Sequence, residues 1–210
     1  MRIALLGATG GIGGHLLAWA LAAGHEVQAL ARRPGALAAG PAAGSLTVIQ
    51  GDALDARAVA TVIGGSDAVL SALGPRGART PSLLAGAAAN VVDGMAAAGV
   101  RRFIGVSAAG AFITGDPDAG VVIKAILPRI FATPFADVRQ MEATIQASGL
   151  DWTLVRATRL VNGPGTSRYR VHPDYPPPRG RKIARADVAH FIEGALTGHE
   201  WLHGRPALGY

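Results

Sequence analysis

The 210-residue sequence contains no cysteine, which removes disulfides, thiolate nucleophiles and zinc-thiolate centres from consideration. Lysine occurs only at 124 and 182, so the net charge of +6 rests on arginines scattered in small groups such as Arg32-Arg33 and Arg101-Arg102. No lysine-rich tail or aromatic-interleaved basic stripe is present, and we expect no nucleic-acid partner. An anionic cofactor or substrate accounts for the charge more simply. Long hydrophobic runs are lacking too: nothing approaches the roughly eighteen apolar residues of a membrane span, so no membrane partner is expected. The first apolar stretch ends in glycines without the apolar region and cleavage site of a secretion signal, which gives a cytoplasmic expectation. Charged residues make up only 16% against 50% hydrophobic, a globular balance, and the length suits one well-buried domain over 1–210.

What is abundant is glycine, and its placement is informative. Arg2 to Leu6 reads as an apolar strand running into Gly7, Gly10, Gly11 and Gly13, and a helical pattern follows with Leu16, Leu17, Ala20 and Leu21. Glycines at 7, 10 and 13 permit a tight turn, a close backbone approach to a pyrophosphate, and a helix seated against the strand. A second apolar strand, Glu26 to Ala31, closes a βαβ unit of about thirty residues, the context that gives such a loop its meaning. That strand ends in Arg32-Arg33-Pro34 where NAD-preferring folds place an acid on the ribose, and two guanidiniums suit a 2′-phosphate. NADP(H) is the cofactor expected.

The remaining chain alternates in the same rhythm. Strands are expected at 46–50, 68–73, 103–107 and 151–156, with a short one near 169–171, and helices at about 56–63, 82–98, 135–148 and 185–196. Asp55 is placed to cap the first of these helices. The result is an α/β fold of Rossmann type, a doubly wound parallel sheet with helices on both faces. The loop Ala72-Leu73-Gly74-Pro75-Arg76 falls at the carboxyl edge of the sheet, where ligands of open α/β sheets bind, and Arg76 is placed to reach the cofactor phosphates. Residues 110–185 carry the substrate-side elements, including an apolar stretch near 121–131. The proline-rich, basic segment from Arg168 to Arg185 is expected to form a rim over the acceptor, with Tyr175 available to stack on a planar ring, or else a plain surface loop. His199 and His203 have helical ligand spacing, but Gly198 and Gly204 oppose a helix there and no metal site is expected.

Taken together, the segments at 7–13 (GATGGIG), 51–55 (GDALD), 70–77 (LSALGPRG), 99–112 (GVRRFIGVSAAGAF), 135–158 and 183–196 (IARADVAHFIEGAL) resemble the atypical short-chain dehydrogenase/reductase family in its NAD(P)H-binding, NmrA-like branch. The pattern is nearest that of the NADPH-dependent flavin reductases, also called biliverdin-IXβ reductases, and covers essentially the whole chain. The resemblance implies that Thr9, Gly10 and Ile12 lie along the pyrophosphate, that Arg32 and Arg33 hold the 2′-phosphate, and that Asp52, with Ala53, looks toward the adenine. Asp52 capping its own turn is the other reading of that residue. The resemblance also places Ser107 beside the nicotinamide, as a donor to a substrate carbonyl or a holder of the cofactor amide, or as a strand-end serine bonding its own turn. Ala157-Thr158-Arg159-Leu160 becomes the other pocket wall, with Thr158 on the cofactor and Arg159 either toward an anionic acceptor or out in solvent.

The family's Tyr-x-x-x-Lys pair is missing. Tyrosine occurs only at 169, 175 and 210, never with lysine four residues on. A tyrosine-based alcohol dehydrogenase mechanism is therefore not expected. The leading expectation is an NADPH-dependent reductase passing hydride directly to a flavin, quinone-like or conjugated carbonyl acceptor, with Ser107 and Arg159 as candidate catalytic residues. The other is an NmrA-like sensor that binds NADP(H) without turnover. A small-molecule acceptor, anionic and planar, is the expected partner, and the chain is expected to be a monomer or weak homodimer.

Overall fold

Ile3, Ala4, Leu5 and Leu6 are at most 1% exposed, because β1 (Arg2–Leu6) lies at the centre of a sheet covered on both faces. In a computed structural model the described residues, 1–37, 44–74 and 82–210, build an eight-stranded sheet. The strands are β1, β2 (Glu26–Ala31), β3 (Ser45–Gln50), β4 (Ala68–Ser71), β5 (Arg102–Ala108), β6 (Asp151–Ala157), β8 (Arg170–Pro173) and β10 (Pro206–Gly209), in the order β3-β2-β1-β4-β5-β6-β10-β8. All neighbours are parallel except β8, which runs antiparallel to β10. Two further strands, β7 (Arg159–Val161) and β9 (Lys182–Ala184), form a separate parallel pair.

Period-two alternation sorts β1 between two cores. Ile3 and Leu5 meet Leu16 and Leu17 of α1 (Gly11–Ala22) with Val188 and Ile192 of α6 (Arg185–Thr197). Ala4 and Leu6 face Val59 and Ile63 of α2 (Ala56–Ile63), Val91 and Met95 of α3 (Leu83–Ala98), and Met141 and Ile145 of α5 (Ala132–Gln146). Each fully buried branched side chain of this kind contributes about 1.5–3 kcal/mol. Asp55 caps α2 as expected, its Oδ1 accepting from the N–H groups of Arg57 at 2.9 Å and Ala58 at 3.3 Å.

The fold is the Rossmann-type arrangement read from the sequence, with differences in its second half. The apolar stretch after residue 120 is a helix, α4 (Val121–Ile130), that buries no side chain and carries Pro128 near its end, where the chain breaks before α5. The segment from Arg168 to Arg185 is an edge and not a free loop: β8 joins the large sheet and β9 pairs with β7. Part of the cationic excess is structural. Arg101 grips Asp151 bidentately at 3.1 and 3.0 Å, and Arg102 donates to the Asp151 carbonyl, the Thr153 hydroxyl and the Ala195 carbonyl near the end of α6.

Candidate functional site

The sheet order reverses at β1, between β2 and β4, and a cleft of about 580 Å³ opens at the carboxyl ends of the strands on that line. Its middle is the glycine turn. Gly7 has φ +83°, and a Cβ on it would lie 2.6 Å from the Ala72 carbonyl oxygen; a Cβ on Gly13 would lie 2.1 Å from the carbonyl oxygen of Gly7. Gly13 thus seats α1 against β1 and lines no cleft, while Gly7, Thr9, Gly10, Gly11 and Ile12 do line it. Gly10 is the N-cap of α1 and offers no side-chain acceptor, and no acid occupies the first turn. The leading N–H groups of α1 are left to an anion.

At one end stand Leu30, Ala31, Arg32, Gly51, Asp52 and Ala53. Asp52 caps its own turn, its Oδ1 accepting from the Leu54 N–H at 3.0 Å, while it also lines the cleft with its Oδ2 3.8 Å from Arg32 Nη1. Arg33 is exposed and falls outside the lining, because adjacent residues in extended backbone point to opposite sides. Ala72, Leu73 and Gly74 line the cleft as expected; Arg76 lies outside the described residues.

The other end is formed by Leu83, Leu84, Val106, Ser107, Ala108, Val138 and Leu160, while Arg185 lies against Gly11 at the glycine turn. From the loop expected to form this wall, only Leu160 reaches it. Alternation along β7 turns Arg159 outward, where it is exposed, and the Thr158 hydroxyl donates to the Leu208 carbonyl at 2.9 Å, tying β6 to β10. Arg159 and Thr158 are therefore corrected from site residues to surface and structural ones.

Ser107 stands at the cleft wall with its hydroxyl committed. It lies 2.5 Å from Glu142 Oε1 of α5, and both oxygens of that carboxylate also accept from Arg156 of β6, at 3.0 and 2.6 Å. Glu142 and Arg156 are 1% and 3% exposed, and the guanidinium sits 3.5 Å over the Phe112 ring. With Gln146 Nε2 also donating at 3.4 Å, four donors converge on one carboxylate, and the Ser107 hydroxyl is one of them. Donation to a substrate carbonyl would compete with this bond. Tyr175 does not face this cleft either: it lines a separate cavity of about 340 Å³ with Phe112, Arg139 and Arg205. Tyr169, bonded to His190 at 2.9 Å, lies outside the cleft lining, and its pKa is pushed up to about 12 by burial and by the charges of Asp187 and Glu193.

A strand, glycine turn and uncapped helix facing a cleft at the reversal of a parallel sheet are the parts of a dinucleotide site, and a family model described as NAD(P)H-binding matches residues 7–198. The chain belongs to this NAD(P)H-binding family. It is 30% identical over 201 residues to a protein named "uncharacterized sugar epimerase YhfK" of Bacillus subtilis, covering 93% of this chain and 88% of that one. Among solved structures, a putative exported protein from Burkholderia pseudomallei is 28% identical with a TM-score of 0.80 and full coverage of both chains. ChuY, an anaerobillin reductase from Escherichia coli O157:H7, is 26% identical with a TM-score of 0.78, over 99% of this chain and 96% of that one. The atypical short-chain dehydrogenase/reductase resemblance is thus sustained. No described helix is long and apolar enough to cross a membrane, and no described cluster of His, Asp or Glu is arranged for a metal ion.

The sequence reading missed Glu142, Arg156, Val138 and Arg185 as site-forming residues. Val138 lies on α5, a helix expected from the sequence, but nothing in its spacing marks which of its apolar residues lines the cleft. The pairing of Glu142 with Arg156 depends on how α5 packs across β5 and β6 and has no local signal.

Proposed function

We propose that the protein is an NADPH-dependent reductase that delivers hydride directly to a conjugated acceptor, of the flavin, quinone-like or conjugated-carbonyl kind. The observation that carries this reading is the chemistry of the cleft end beyond the glycine turn. Its described lining is apolar except for Ser107 and holds no tyrosine, lysine, histidine or carboxylate. Bound NAD(P)H supplies the hydride, and the protein's part is to bind, orient and exclude competing water. Ser107 offers lone pairs to an N–H or O–H and gives up no proton, so the acceptor is protonated by solvent after reduction. A nucleotide-sugar epimerase needs a side-chain base for a sugar hydroxyl, and this lining argues against that chemistry despite the Bacillus relative's name. Arg32, standing at the adenosine end in place of an acid, supports NADPH over NADH.

Anaerobic NADPH oxidation across FMN, FAD, quinones and linear tetrapyrroles tests the proposal. Turnover with at least one of them is expected. Tight NADPH binding with no turnover of any acceptor would replace the reductase by the sensor reading, and interconversion of a nucleotide sugar would restore the epimerase.

A further inference from the structure

We propose that Arg185 is a pyrophosphate ligand reaching the glycine turn from the C-terminal half of the chain, and that residue 11 is glycine to admit it. Arg185 opens α6, directly after β9, and its side chain crosses the mouth of α1. A Cβ on Gly11 would lie 2.5 Å from Arg185 Cδ and 3.0 Å from its Nε, so the arginine stem occupies the space any larger residue at 11 would take. Gly7 and Gly13 are explained by backbone contacts, whereas the crowding at Gly11 comes from this one side chain.

The guanidinium is placed and held for an anion. Nη1 donates to Asn162 Oδ1 at 2.7 Å, just beyond β7, and the side chain, which lines the cleft, has further N–H donors with no protein partner among the described residues. Among the described residues no carboxylate pairs with it. The nearest acid along the chain, Asp187, accepts from Thr166, Ser167 and Tyr210 instead. An arginine fork delivers two parallel hydrogen bonds to phosphate oxygens. Its station over Gly11 lies between the Arg32 end and the Ser107 end of the cleft, which corresponds to the pyrophosphate and not to the 2′-phosphate.

Binding measured without any acceptor tests this independently of the reductase proposal. NADPH, NADH and adenosine 2′-monophosphate, which lacks the pyrophosphate, are titrated into the wild type, Arg185→Met, Gly11→Ala and the double variant, with circular dichroism confirming the fold. Loss of one charge-assisted contact corresponds to a roughly tenfold or greater weakening, expected equally for both dinucleotides, with the monophosphate unchanged. Gly11→Ala, by displacing the stem, should weaken dinucleotides in the wild-type background and add little to Arg185→Met. Arg185→Lys, which keeps the charge without the fork, should fall in between and guards against a folding artefact. Dinucleotide affinities within twofold of wild type in Arg185→Met, an equal loss for the monophosphate, or fully additive losses in the double variant would each overturn the proposal.

Discussion

Arg32 and Arg33 are neighbours in sequence, but only Arg32 turns to the cleft, where it faces Asp52. Arg32→Met should weaken NADPH by about 1.5–3 kcal/mol, the worth of a charged hydrogen bond, and leave NADH unchanged. Arg33→Met should alter neither. Fluorescence titration with both cofactors measures the difference, and equal affinity of the wild type for NADPH and NADH would refute the assignment. Ser107→Ala is expected to reduce kcat about three- to tenfold with little change in cofactor affinity, because one neutral hydrogen bond of about 0.5–1.5 kcal/mol is lost at the reacting end. A variant with kcat unchanged would return Ser107 to a purely structural role. The residue identity was legible from the strand-end position; the direction of its proton was not, since that depends on Glu142 and Arg156, which come from other elements.

At the scale of elements, Glu142 and Arg156 pin α5 to β6 through a buried ion pair. Removing one partner strands a charge in the interior and should cost about 3–5 kcal/mol, while Glu142→Leu with Arg156→Met should be close to neutral in stability. Urea unfolding of the three variants decides; a double variant as unstable as the singles would show that the bonds of Arg156 to the Asp174 carbonyl and its Phe112 contact matter more than the pair. The start of α6 is held differently. Burial pushes the Asp187 carboxyl up, but hydrogen bonds from the Tyr210 hydroxyl, the Ser167 and Thr166 N–H groups and the Thr166 hydroxyl outweigh it and leave the carboxyl below its ordinary value. A depressed carboxyl contributes stability above its unfolded value, about 4, and loses it as pH falls through the folded one. Thermal melts should therefore show that Asp187→Asn lowers Tm at neutral pH and narrows its gap to the wild type as pH drops below about 4. A gap independent of pH would mean that Asp187 acts there without its charge.

For the whole molecule, the last strand is inserted between β6 and β8, so the sheet closes only when residues 206–209 have docked. Deleting Pro206 to Tyr210 removes the fully buried Ala207 and Leu208, the acceptor of Thr158 and the hydroxyl that bonds Asp187. Loss of a cooperative thermal transition is expected, and a truncated protein melting near the wild type would show that β8 can close onto β6 unaided. Nothing in PALG announces a strand, because four residues are too few for a period to register. The three-residue strands β7 and β9 escaped notice for the same reason.

What the sequence determined by itself is whatever depends on near neighbours: the strand, glycine turn and helix of the phosphate loop, the alternation that yields a parallel sheet with two covered faces, the Asp55 cap, and the arginine at the end of β2. These follow from periodicity and backbone sterics acting over a few residues. Only the tertiary structure decided that Arg159 faces solvent while Leu160 faces the cleft, that the Ser107 hydroxyl donates its hydrogen bond to Glu142, and that Arg185 lies over Gly11. The register of short strand pairs and the packing of helices across the sheet bring those partners together from distant parts of the chain, and contact at such separation leaves no trace in local sequence.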